Sequence, residues 1–330
     1  MRRVLVTGAT GGLGLTLVEA LCNKGYRVRA TGRNATFGPR LGALGAEFAA
    51  VDLNEPSVTD ALCQGMDSVI HAAALSSPWG SDATFRRINV EVTKGLMDSA
   101  RRAGCRRFVF VSSPSVYAQP RDQFNLTEDS PLPRRFLNAY AATKAQAERH
   151  VLETNGPDMA CLCVRPRAIV GPDDQVLLPR FLRVIEKGVF PLLRSGRALI
   201  ELTDVRDAAE ALILAEAKAP QLAGQVFNVS GARPATVRDT VAALAGASGH
   251  DLHFIRLPVT PMRAVAMAME AVAGALPGRP EPPLTDYSLC TLAFSQTFDL
   301  TRARTRLGFT PRHDALASAV AIIQNRAVAR

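Results

Sequence analysis

The sequence contains no CxxC pair, a single tryptophan and no apolar run long enough to cross a bilayer, and each absence removes a class of protein. Its six cysteines, at 22, 63, 105, 161, 163 and 290, have neither zinc-site spacing nor the density of a disulfide framework. Cys161 and Cys163 alternate within an apolar run, so the set reads as reduced thiols in the core of a cytoplasmic protein. The five histidines lack ligand spacing too, and no metal is expected. Lysine is scarce: five residues against 34 arginines, which stand as singles and as pairs such as Arg101–Arg102 and Arg134–Arg135. No basic run is interleaved with aromatics, so the net charge of +9 reads as a solvated basic surface, with no nucleic-acid partner. Strand-like Val4-Leu5-Val6 begins at once, so neither a signal peptide nor an integral membrane segment is expected.

What is present is the composition of a folded chain, 47% hydrophobic and 21% charged over 330 residues. Short β-branched runs at 4–7, 28–31, 48–52, 68–72, 108–112 and 160–164 alternate with helical patterns. Leu13, Leu17 and Leu21 fall on one helical face that Gly25 stops. Ser81 or Asp82 caps a helix running towards Ala103, and Asn138 caps another running to Thr154. This alternation predicts an α/β fold: a doubly wound, Rossmann-type parallel sheet covered on both faces. Residues 1–165 are expected to form that core. Residues 166–330, where prolines interrupt the rhythm, are expected to form mostly a smaller, discontinuous substrate lobe, with segments near 198–230 returning to the core.

Thr7-Gly8-Ala9-Thr10-Gly11-Gly12-Leu13-Gly14 follows the first strand and opens the first helix. Gly8, Gly11, Gly12 and Gly14 let the chain turn tightly and let backbone approach a pyrophosphate. Thr10 and Leu13 lie in the same turn, and the helix N-terminus directs N–H groups at the phosphates. Dinucleotide binding is the expectation. The second strand ends in Gly32-Arg33-Asn34, with Arg33 where an acidic residue would accept hydrogen bonds from the adenosine ribose. A guanidinium there suits the 2′-phosphate of NADP(H), the favoured cofactor. If Arg33 only stacks on adenine, NAD(H) also fits.

Tyr140-Ala141-Ala142-Thr143-Lys144 places a tyrosine and a lysine one helical turn apart on one face. A lysine charge stabilises phenolate and lowers the tyrosine's pKa, which fits proton transfer. The alternative is a surface pair on an amphipathic helix. The preceding apolar strand, 108–111, ends in Ser112-Ser113 at the carboxyl edge of the sheet, where ligands bind in such folds.

Taken together, these motifs resemble the extended short-chain dehydrogenase/reductase superfamily over nearly the whole chain. The likeness also runs through Asp52-Leu53, His71-Ala72-Ala73-Ala74, Asn89-Val90 and Val164-Arg165-Pro166…Gly171-Pro172. The resemblance selects Ser113 over Ser112 as the catalytic hydroxyl, makes Tyr140 the acid/base, and has Lys144 hold the nicotinamide ribose as well as tune Tyr140. It places Asp52 and Leu53 at the adenine, and Ala72, Ala73 and Ala74 against the cofactor through their backbone. Asn89, Arg165 and Pro166 are implied at the cofactor, although a helical asparagine also serves structure. It further implies a homodimer built on the helices around Asn89 and Tyr140, whose apolar Val90, Leu96, Met97, Ala141, Ala145 and Val151 face either a partner or their own sheet.

Sugar-nucleotide epimerases share this core, but their sixth strand continues with an asparagine where Ala168 stands here, facing the substrate. The stretch 282–287 and the later Leu307-Gly308-Phe309 resemble the 3β-hydroxysteroid dehydrogenase and 2-alkyl-3-oxoalkanoate reductase branch, and 28–34 resembles the dihydroflavonol reductases. That branch implies an oxidoreductase interconverting a ketone and a secondary alcohol on a small, bulky apolar substrate. The other readings are an NDP-sugar epimerase or reductase and a non-catalytic NADP-binding regulator. The regulator is disfavoured because Ser113, Tyr140 and Lys144 are all intact. Trp79 is either a wall of the substrate pocket or a core anchor, and the apolar segment 264–276 is either a substrate lid or a packing helix.

Overall fold

The computed structural model describes residues 1–328. Seven strands form one sheet: β1 (Arg3–Thr7), β2 (Arg27–Gly32), β3 (Glu47–Ala50), β4 (Ser68–His71), β5 (Arg107–Val111), β6 (Ala160–Pro166) and β7 (Val226–Val229). Their order is β7-β6-β5-β4-β1-β2-β3, and every pairing is parallel. Alternation along the strands explains why both faces are covered. Val4, Val6, Val109, Val111, Leu162 and Val164 turn to one face, where they pack with helix α1 (Gly12–Asn23). Leu5, Val69, Phe108, Phe110, Cys161 and Cys163 turn to the other, under α2 (Val92–Arg102) and α3 (Ala139–Glu153). Cys161 and Cys163 are free and buried, as their alternation implies.

The caps fall where the side chains allow them. Ser81 accepts from the Thr84 N–H at 3.2 Å and Asn138 from the Ala141 N–H at 2.9 Å. The helical run beyond Ser81 is α-helical at Asp82–Arg86, widens to a π-turn at Arg87–Glu91, and resumes as α2. The π-turn carries Asn89 inwards.

Past β6 the chain builds a second cluster around Leu178, Ile185, Phe190, Ile200, Val241 and Ile323. Helix α4 (Val205–Lys218) returns to the main sheet and packs Leu212 and Ile213 beside α1. Helices α5 (Val259–Ala275), α6 (Asp286–Ala293) and α7 (Ala315–Val328) follow.

Two segments depart from the expected partition. Gln123–Leu126, within the first 165 residues, pairs with Gln296–Phe298 instead of joining the main sheet. Leu300, Ala303, Leu307 and Phe309, expected in the substrate lobe, are buried in the main core. Both are long-range pairings that a local hydrophobic pattern does not encode. No helix among the described residues is long and apolar enough to cross a membrane.

Of the two faces open to the apolar residues of the helices around Asn89 and Tyr140, the structure shows their own sheet. Val90, Leu96, Met97, Ala141, Ala145 and Val151 are at most 3% exposed in the single chain, so their apolar surface is already covered. The outer face of α3 instead shows Gln146, Arg149 and Glu153.

Candidate active site

The strand order reverses between β1 and β4, and the loops leaving these two strands meet at that crevice. Gly8 has φ +70°, and a Cβ on it would lie 2.7 Å from the Ala73 nitrogen. A Cβ on Gly14 would lie 2.2 Å from the Gly8 oxygen, and one on Gly12 would lie 2.8 Å from the Asp173 oxygen. Gly11, the N-cap of α1, supplies no side-chain cap, so the helix end presents bare backbone beside Leu13. Thr10 folds back over Gly32, where a Cβ would lie 2.6 Å from the Thr10 hydroxyl. This cradle fits a pyrophosphate: the turn is closed to side chains and open to N–H donors.

Beneath it runs a buried polar chain. The Ala73 N–H donates to the Thr7 hydroxyl at 3.2 Å, and that hydroxyl lies 2.7 Å from His71 Nδ1. On the far side His71 Nε2 lies 3.0 Å from the Thr93 hydroxyl, which spends its proton on the Asn89 carbonyl at 2.8 Å. Thr93 can therefore only accept from the ring, so Nε2 carries the proton and Nδ1 accepts from Thr7. Burial pushes the His71 pKa down to about 3, which keeps the ring neutral. The expected His71-Ala72-Ala73-Ala74 motif is thus a fixed strip of backbone held by a neutral imidazole.

Arg33 follows β2 directly, is exposed, and has no acidic partner among the described residues. Asn34 is spent locally, its side chain accepting from the Thr36 N–H at 3.0 Å. Arg40, which the sequence reading missed, pairs with Asp173 through bonds of 2.9 and 2.8 Å and ties the loop after β6 across the glycine turn. Asp52 is exposed and accepts from the Asn54 N–H at 3.1 Å, with Leu53 half-buried beside it.

At the carboxyl end of β5, Ser112 turns inwards, buried and with its hydroxyl unpartnered, while Ser113 is half-buried and caps the following turn. The Tyr140 phenol lies close enough to the hydroxyls of Ser113 and Ser76 to feel both. Burial raises the Tyr140 pKa, and these two hydroxyls oppose the rise. Lys144 does not lower it as expected. Its ammonium donates to the Val111 carbonyl and stands 4.0 Å over the Phe110 ring. Burial brings the Lys144 pKa down to about 7, against the pull of nearby Cys163 and Glu148.

Two residues expected at the cofactor are committed elsewhere. Asn89 is 2% exposed, with its amide oxygen on the Leu75 N–H at 2.8 Å and its amide nitrogen 3.2 Å from the Thr143 hydroxyl. It braces the loop beyond Ala74 and leaves no free group. The Arg165 guanidinium is buried, paired with both oxygens of Glu148 and bonded to the Tyr117 hydroxyl, so its side chain is engaged away from the cofactor. Ala168 is half-buried with φ +40°.

Trp79 is neither a core anchor nor free. It is half-buried, its indole N–H donates to the Arg279 carbonyl at 3.0 Å, and its ring faces Gly274. It thereby fastens the Ser76 loop to the end of α5. Of α5 only Ala266 and Ala273 are buried. The helix and Pro280–Pro283 enclose a groove of about 460 Å³ lined by Val265, Met269, Val272 and Leu276. Segment 264–276 thus borders an open apolar groove.

Comparison with known proteins agrees with this geometry. Residues 4–230 match the model of the NAD dependent epimerase/dehydratase family. The chain is 34% identical over 310 residues to the 4-hydroxy-2-methyl-3-oxo-4-farnesyl-3,4-dihydroquinoline-1-oxide ketoreductase of Stigmatella aurantiaca, covering 94% of this chain and 92% of that protein. It is 31% identical over 316 residues to the 2-alkyl-3-oxoalkanoate reductase of Stenotrophomonas maltophilia (strain K279a), covering 94% and 95%. Among solved structures, MoeE5 in complex with UDP-glucose and NAD aligns with a TM-score of 0.76 at 25% identity, covering 98% of this chain and 99% of that one.

Proposed function

Because the chain belongs to the NAD dependent epimerase/dehydratase family, we propose that it is an NADP(H)-dependent ketoreductase for a bulky apolar ketone, with Ser113, Tyr140 and Lys144 as its catalytic groups. The observation that carries the reading is the buried Tyr140 phenol set beside the Ser113 and Ser76 hydroxyls at the carboxyl edge of the sheet. A phenol whose pKa is raised by burial keeps its proton at neutral pH, which suits donation to a carbonyl oxygen. Bound at the glycine turn, the cofactor supplies a hydride to the carbonyl carbon. Tyr140 gives its proton to the oxygen, and Ser113 holds that oxygen in line. Lys144, steadied by the Val111 carbonyl, keeps N–H donors for the nicotinamide ribose. Arg33, free of acidic partners, supports NADP(H) over NAD(H). The groove beside α5 supports an apolar substrate. Both named reductases, of Stigmatella and Stenotrophomonas, agree with ketone reduction.

The test is NADPH absorbance with purified protein and a panel of 3-oxo acids, 3-oxo steroids, flavonoid-like ketones and UDP-sugars. One NADPH oxidised per alcohol formed is expected with an apolar ketone. Epimerisation of a UDP-sugar without net NADPH oxidation would overturn the reading.

A further inference from the structure

Arg167 is the first residue beyond β6, and its backbone is pinned at the carboxyl edge of the sheet. Its N–H donates to the Val229 carbonyl at 2.8 Å, and the Thr203 hydroxyl donates to its carbonyl. Its guanidinium makes no hydrogen bond or ion pair among the described residues, and its Nε is buried. The carboxylate it feels is Glu201, whose oxygens are already taken by the Ser230 hydroxyl and by the Phe298 N–H at 3.1 Å. The residue is half-buried with its Nε shielded from water, and an arginine partly withdrawn from water without a partner carries a cost that a pairing anion removes.

Arg167 opens into a narrow cleft shared with Tyr287, Cys290 and Phe294. The charged side chains lining that cleft are both arginines, Arg167 within and exposed Arg121. Tyr287, in the lining of the cleft, feels both the Arg167 charge and the Tyr140 phenol, so the cleft lies within electrostatic reach of the reacting centre.

We propose that Arg167 receives a carboxylate of the substrate, so that the ketone reduced is that of an oxo acid. This rests on the ketoreductase reading and narrows it. The planar guanidinium grips a carboxylate through two parallel hydrogen bonds, and Arg121 adds attraction on the way in. The carboxylate does not change during the reaction. The carbonyl carbon gains hydride as NADPH becomes NADP, the oxygen gains the Tyr140 proton, and solvent returns that proton to Tyr140.

The experiment compares a 2-alkyl-3-oxo acid with its methyl ester, in wild type, Arg167→Gln and Arg167→Lys. For the acid, Arg167→Gln should raise KM by about 10- to 100-fold, the range for a lost charge-assisted pair, and Arg167→Lys should recover part of it. Kinetics with the ester should change less than about twofold, since the ester never met the charge. A second readout is the shift in melting temperature on adding the corresponding 3-hydroxy acid, present in wild type and absent in Arg167→Gln. Equal losses on acid and ester, or an unchanged shift with the hydroxy acid, overturn the assignment. So does a shift in Arg167→Gln that is lost for UDP-glucose and kept for the hydroxy acid. If wild type oxidises no NADPH with either ketone while the hydroxy-acid shift still depends on Arg167, the ketoreductase reading fails and the carboxylate site stands.

Discussion

Glu148 follows Lys144 by one turn of α3, and both charges are buried: the carboxylate is gripped by Arg165 and the ammonium is drawn onto the Val111 carbonyl. Burial dominates the lysine. Its pKa of about 7 in the folded chain lies below its ordinary value of 10.5. Between those two values the unfolded chain binds more protons than the folded one, so stability rises with pH across that window. The cost of burying the ammonium is full below pH 7 and fades as pH rises towards 10. Lys144→Met should therefore melt higher than wild type at pH 6, with a gap that narrows steadily by pH 10. Melting curves at several pH values check this, and a gap independent of pH would contradict it.

His71 gives a prediction of the opposite kind. The ring is neutral, with a pKa near 3, so it adds no titration to the activity profile between pH 5 and 8. His71→Leu keeps the apolar volume but leaves the buried Thr7 hydroxyl proton without its acceptor, whereas Thr93 keeps its bond to the Asn89 carbonyl. One stranded buried group costs about 1–3 kcal/mol. Chemical denaturation should show that loss. A rise in the Kd for NADPH should accompany it, because the Thr7 hydroxyl that receives the Ala73 N–H is no longer fixed by the ring.

Tyr140→Phe removes a proton and little else. The ring keeps its packing against Phe85, 6.4 Å away between centroids. Loss of general acid catalysis is expected to lower kcat by about 10²–10⁴, with NADPH affinity almost unchanged. Steady-state rates and a cofactor titration decide it, and near-normal ketone reduction would remove Tyr140 from the chemistry.

Much of the fold was legible because most strands are short apolar runs closed by a turn signal, and some helices begin at a side chain that caps them. Ser81 and Asn138 show this directly. The glycine turn was legible because Gly8 and Gly14 have a steric reason to be glycine. Less legible were long-range commitments. Nothing local to Arg165 says that its guanidinium is spent on Glu148, and nothing local to Asn89 says that it braces Leu75. Ser76, Tyr287 and Arg167 reach the site from separate parts of the chain, and only the folded chain brings them near Tyr140 or one another. Lys144 was placed one turn from Tyr140 correctly, yet the Val111 carbonyl competes for its ammonium, and spacing on a helix does not reveal that competition.

Arg33 offers a charge test that leaves the fold alone, since the side chain is exposed and unpaired. Loss of a charge-assisted phosphate contact costs about 1.5–3 kcal/mol. Arg33→Asp should weaken NADPH by that amount and improve NADH, because a carboxylate repels the 2′-phosphate and accepts hydrogen bonds from ribose hydroxyls. Fluorescence titration of both cofactors against both proteins gives the ratio. An unchanged ratio would assign the preference to another group, with Arg40 the next candidate.

The glycine turn can be tested with a matched pair of alanines. At Gly14 the new Cβ would fall 2.2 Å from the Gly8 oxygen and 2.7 Å from the Ala9 Cα, both main-chain atoms of the turn itself. Neither can swing aside as a side-chain end does, so the first turn of α1 must move away from β1. Gly14→Ala should therefore lose NADPH binding and melt well below wild type. Gly95, inside α2, has nothing within 4 Å of its own Cβ position. There alanine only removes backbone freedom from the unfolded chain, and Gly95→Ala should stabilise by about 0.5–1 kcal/mol with cofactor affinity unchanged. The helix setting and the substitution are the same, so a difference in outcome isolates the close approach at the turn. If both variants bind NADPH as wild type does, the turn tolerates a side chain and its glycines are not there for the pyrophosphate.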